Sequence, residues 1–201
     1  MTSKAFSLSH YFSEISNSTD FFSQSKELIR VVDILYKTWQ KHGTVFVMGC
    51  GGSASTATHF SADLSKTTMV KGKDMFKSMA LVDNIPLVSA WTNDYGWDKV
   101  FSGQLVPWLT KNDVLVGFSV HGGSLDGWSQ NLVSAMKLAK DRKAKIIGFS
   151  GFDGGAMKKM ADACLTVPIS DEVYGTPVIE GFHSVLTHGI IFALKNKIAG
   201  L

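Results

Sequence analysis

The stretch from Val45 to Leu64 constrains this chain more than any other. It reads Val-Phe-Val-Met, then Gly49-Cys-Gly-Gly-Ser53, then a helical pattern ending in Ser-Ala-Asp-Leu. An apolar β-type run that turns through glycines into a helix is the layout of a strand–loop–helix anion site. Gly49, Gly51 and Gly52 allow a tight turn, and Ser53 is placed to cap the helix and offer a hydroxyl to a phosphate. Along that helix His59 and Asp63 stand four residues apart and therefore on one face.

The same device recurs. Val114-Leu-Val-Gly-Phe is followed by Ser119-Val-His-Gly-Gly-Ser124, which predicts a second polar loop and a helix opening at Ser124. Two such loops at the ends of parallel strands can bracket one phosphate with backbone N–H groups and hydroxyls. The first loop lacks the lysine of a Walker loop and the glycine spacing of a dinucleotide fingerprint.

Further strands are expected at Met79–Val82, Lys145–Phe149 and, more weakly, Leu165–Val167, besides Thr44–Met48 and Val114–Phe118. Helices are expected over Ser53–Lys66, roughly Tyr95–Trp108, Leu125–Lys140, near Gly155–Ala161, and Thr176–Lys197 with Pro177 in the first turn. A helical pair fills residues 7 to 42, broken by Asn17-Ser-Thr-Asp20 and ended by Gly43. Strands alternating with helices predict an α/β three-layer sandwich around a mostly parallel, flavodoxin-like five-stranded sheet. Its ligands bind at the carboxyl ends of the strands.

The 201 residues suit one domain, residues 1–201, whose N-terminal helices pack on it or in an oligomer interface. A net charge of +3 is too small to indicate nucleic acid, and no apolar run reaches membrane-spanning length. Two cysteines give no disulfide framework, and the N-terminus has no signal-peptide core, so a reducing cytoplasm is expected.

The last helix carries Glu180, His183 and His188. At about 100° per residue the two histidines diverge by about 140°, so Glu180 shares a site with one more easily than with both. Asn93-Asp94-Tyr95-Gly96 reads as a turn, and Trp91, Trp97 and Trp108 as packing residues.

Together these pieces resemble the sugar isomerase (SIS) domain family, and within it the phosphoheptose isomerase branch. Gly49-Cys-Gly-Gly-Ser53 with His59-Phe60 and Asp63 is similar to the family's Gly-Asn-Gly-Gly-Ser loop and its helix. Ser119 to Ser124 is similar to Ser-Thr-Ser-Gly-Asn-Ser, Asn93 to Gly96 to Asn-Asp-Phe-Gly, and Gly151 to Gly155 to Gly-Lys-Asp-Gly-Gly. His183 and His188 match two histidines five apart. Cys50, Val120 and His121 depart from the pattern, and Pro177-Val178 replaces an Asp-Arg pair.

The resemblance implies an enediol aldose–ketose isomerase of a sugar phosphate, with sedoheptulose 7-phosphate the expected substrate. Another ketose phosphate, or a non-catalytic sugar-phosphate or protein-binding module, are the alternatives. It implies Asp63 and His188 as the acid–base pair and zinc at His59, Asp63, Glu180 and His188. Substrate and phosphate contacts fall on Gly51, Gly52, Ser53, Asn93, Asp94, Ser119, His121, Ser124 and Glu180. A homotetramer is the expected assembly.

Overall fold

The computed structural model describes residues 6–23 and 25–201. Five strands, β1 (Thr44–Gly49), β2 (Lys77–Ala80), β3 (Val114–Phe118), β4 (Lys145–Gly151) and β5 (Ala163–Val167), form one sheet in the order β2-β1-β3-β4-β5. Every pairing is parallel. The central strands are apolar on both faces. Val45 and Val47 join one core cluster while Phe46 and Met48 join the other, and Val114, Val116 and Phe118 oppose Leu115 in the same way. That period-two split buries both faces and requires helices on each side.

One face carries α1 (Leu8–Phe22), α2 (Lys26–Gln40), α3 (Gly52–Lys66) and α8 (Glu172–Ala199). The other carries α5 (Val100–Leu105), α6 (Gln130–Asp141) and α7 (Gly155–Met160). The chain leaves β1 toward β2 in one direction and then returns past it to β3. This reversal makes the carboxyl ends of β1 and β3 the topological switch point, where a doubly wound sheet opens a crevice.

Several elements differ from the sequence expectation. α1 runs unbroken through Asn17–Asp20: Thr19 Oγ1 donates back to the Ile15 carbonyl, Asn17, Thr19 and Asp20 face water, and Ser18 turns to the buried side. α1 ends at Phe22 and α2 begins at Lys26. A helix stands before Tyr95: α4 (Ile85–Tyr95), capped by the Asn84 side chain at the Leu87 N–H. The segment expected as one helix to Trp108 is a short 3₁₀ turn at Trp97–Lys99 followed by α5. α8 starts at Glu172, where Asp171 Oδ1 accepts from Val173 N, so Pro177 lies inside it.

α8 is also long and apolar enough to cross a membrane, counter to the expectation that no such run exists. Its apolar side is spent on the sheet and on α1, α2 and α3, with Val178, Ile179, Ile190, Ile191 and Leu194 fully buried. That is the position of a core helix.

Candidate active site

The site is built at the switch point. After β1 the chain turns at Gly51, whose φ of 59° and ψ of −128° suit only glycine, and α3 begins at Gly52. Gly51 is the N-cap and makes no side-chain cap bond, so Ser53 sits inside the first turn rather than capping it. Its buried position directs it to a cavity of about 200 Å³ that it shares with Cys50, Ser119, His121, Ser129 and Glu180.

The loop after β3 differs from expectation. The helix does not open at Ser124 but at Gln130, with Ser129 as its N-cap in the left-handed region and with no side-chain cap bond. Ser129, which the sequence reading overlooked, therefore joins Ser53 and Ser119, whereas Ser124 lines a neighbouring cavity of about 270 Å³ with His121, Trp128 and Lys159. The signal available was Asp126-Gly127, a dipeptide that marks a turn and disfavours a helix running through it.

This loop is locked. Ser119 Oγ accepts from Gly122 N at 3.0 Å, and Gly151 N donates to Val120 O at 2.9 Å. Ala156 N and Met157 N, at the start of α7, donate to Gly123 O and Gly122 O. Cys50 is half-buried; Asn131 Nδ2 donates to its Sγ at 3.1 Å. Burial pushes the Cys50 thiol up, against the opposing pull of that bond, so it is a neutral wall.

Glu180 reaches the same cavity from α8. Its carboxylate lies against Gly52, where an added Cβ would stand 2.5 Å from both carboxylate oxygens. It thus faces the first turn of α3, where the helix dipole favours negative charge.

A second cluster lies farther along the same two helices. His59 Nε2 and His188 Nε2 stand 3.0 Å apart with their rings edge to face. Asp63 Oδ2 is 3.3 Å from the first and 3.8 Å from the second. Thr67 Oγ1 donates to Asp63 Oδ1 and fixes the carboxylate. The three ligand atoms all lie within 4.8 Å of one another. A tetrahedral ion with bonds of about 2.0–2.1 Å separates its ligand atoms by roughly 3.3 Å, so two imidazole nitrogens and a carboxylate oxygen so spaced fit a divalent metal and leave a position open.

Glu180, expected as a fourth ligand, is outside this cluster. It lies eight residues before His188 on α8, about 12 Å along the axis. Asn93 and Asp94, expected at the substrate, sit on the exposed last turn of α4, bonded to each other, and line neither cavity. His183 is buried between Phe118 and Phe149, with Nε2 at 3.2 Å from the Ser150 carbonyl. Burial lowers it to about 4, so it is a neutral core histidine.

The SIS domain model matches residues 10–151. The chain belongs to the SIS-domain family. It is 36% identical to a phosphoheptose isomerase of Helicobacter pylori, over 84% of this chain and 82% of that protein. The match therefore places it in the phosphoheptose isomerase branch, and that membership makes the protein a sugar-phosphate isomerase. It is 45% identical over 80% of its length to the lincomycin biosynthesis protein LmbN of Streptomyces lincolnensis, but spans only 58% of that relative. A phosphoheptose isomerase structure from Neisseria gonorrhoeae superposes with a TM-score of 0.79 at 26% identity, covering 94% of each chain.

Proposed function

We propose that the protein interconverts sedoheptulose 7-phosphate and a heptose 7-phosphate through an enediol. The observation that carries this reading is the convergence at one switch point of the N-termini of α3 and α6 and three serines, with an imidazole–carboxylate cluster on α3 and α8. Ser119, Ser129 and the first N–H groups of α6 seat the phosphate, with Ser53 and the turn at Gly51 and Gly52 closing the cup. Glu180 cannot welcome the phosphate itself; it accepts from sugar hydroxyls at the α3 end. His121 donates to the phosphate when protonated.

Asp63 and His188 share the proton transfers. One takes the proton from carbon while the other serves the oxygen at the neighbouring carbon. Thr67 holds Asp63 in place, and the exposed His188 ring reaches the open face of the cluster. A zinc ion held by His59, Asp63 and His188 would polarise the substrate oxygens. His59 would then serve only the metal, while Asp63 and His188 also hold or move protons.

α8 supports a homo-oligomer, which we take to be a tetramer. Gly181, Val185, His188, Gly189 and Phe192 form one exposed stripe, and Phe12 and Leu8 of α1 are exposed as well. An apolar stripe with two glycines lets another helix approach closely beside the site. Both cysteines are free thiols, in keeping with a cytoplasmic enzyme.

A second reading, isomerisation of a different ketose phosphate, is favoured by the higher identity to the lincomycin biosynthesis protein and by Cys50 and His121 in the cup. The deciding experiment incubates metal-loaded protein with sedoheptulose 7-phosphate in deuterated water and follows the carbon-bound protons by NMR. Deuterium next to the carbonyl with an aldose appearing supports the first reading. Exchange only with another ketose phosphate supports the second, and none with any would leave a binding module.

A further inference from the structure

Between Ser124 and Trp128 the chain makes an excursion that the phosphate cup does not require. It is tied down firmly. Ser124 N donates to Trp128 O at 3.1 Å, and the Gln130 amide donates to the carbonyls of Ser124 at 2.7 Å and Gly127 at 3.0 Å. This bracing fixes the backbone that carries Trp128, a residue that is 64% exposed. An indole left in water contributes little burial energy to the fold and keeps its ring face available to a ligand.

Trp128 also sits at a particular place. It and His121 line both the 200 Å³ cup and the neighbouring 270 Å³ cavity and so form the partition between them. His121 is held from behind, its ring stacked on Phe152 at 4.7 Å and 6°. The partition is thus one stacked imidazole and one exposed indole on a braced backbone, beside a cup whose polar groups are the hydroxyls of Ser53, Ser119 and Ser129 and the Glu180 carboxylate.

We propose that Trp128 is a specificity-determining residue that packs its ring face on the carbon chain of the bound sugar phosphate. The inference rests on the sugar-phosphate reading of the cup. The electron-rich face of an indole attracts the partially positive C–H edge of a polyhydroxylated chain, while the hydroxyls turn to Glu180 and the serines. The ring contacts the sugar and leaves the phosphate to the cup. Inorganic phosphate has no carbon chain and so lacks that contact.

The test titrates wild-type, Trp128→Phe and Trp128→Ala proteins with sedoheptulose 7-phosphate and with inorganic phosphate, by calorimetry and by tryptophan fluorescence. The expected result is sugar-phosphate binding weakened roughly tenfold or more in Trp128→Ala and less in Trp128→Phe. Inorganic phosphate affinity should change by less than about twofold. In the wild type the sugar phosphate, but not inorganic phosphate, should shift the emission of the exposed indole, and the shift should vanish in both variants. Equal weakening of both ligands would reduce Trp128 to a prop of the cup, and no weakening of either would remove it from the site; each overturns the proposal. Because binding is the readout, wild type that takes up the sugar phosphate without isomerising it would defeat the catalytic reading and leave this one standing.

Discussion

Asp63 is fixed by Thr67 on one oxygen and turned to two imidazoles on the other, so its charge rather than its bulk is what the cluster uses. Asp63→Asn should fold normally and lose kcat by more than about 100-fold, read by the proton-exchange assay. His59→Ala removes a nitrogen from the same cluster and should weaken zinc binding by at least about tenfold, measured by competition with a chromogenic chelator. His183 behaves differently. In the unfolded chain it gains a proton below about pH 6.5, whereas in the core it stays neutral down to about 4. The unfolded state therefore binds more protons across that window. Stability from this group is complete above pH 6.5 and declines as pH falls to 4, by up to about 3 kcal/mol. Urea denaturation of wild type and His183→Gln over pH 4–7 should show a shallower acid loss in the variant.

At the scale of elements, the site depends on two loops interlocked through backbone. Gly122 has φ of 71°, and a Cβ there would stand 2.0 Å from the Gly154 carbonyl oxygen. Neither the dihedral nor the backbone oxygen can yield cheaply. Gly122→Ala should cost about 2 kcal/mol or more in chemical denaturation and loosen the Ser119 loop. Gly52→Ala meets only the end of the flexible Glu180 side chain. The fold should survive it with little loss of stability, while the displaced carboxylate raises KM for the sugar phosphate.

For the whole molecule, the exposed stripe of α8 and the imidazole–carboxylate cluster occupy the same surface, since His188 belongs to both. Assembly and activity should then fall together. Phe192→Glu, which lies on the stripe but outside the cluster, should lower the mass seen by light scattering and reduce activity. A variant that dissociates with full activity would show that each chain carries a complete site.

The pattern of apolar residues by itself determined the architecture. Strand segments apolar on both faces and separated by helices have few solutions other than a covered parallel sheet, and Gly49 to Ser53 marked its first ligand loop because tight strand-to-helix turns need glycine. His59 and Asp63 were legible as neighbours because one helical turn separates them. Their meeting with His188, 129 residues away, was implied only by resemblance, and α3 packing on α8 was needed to produce it. Only tertiary structure decided that Glu180, expected at both the substrate and the metal, lies at the cup and outside the histidine cluster, that Ser129 rather than Ser124 lines the cup, and that Trp128 borders it. Helical phase and local pattern say which residues share a face. Which faces of distant helices close on one another is decided by how the layers pack.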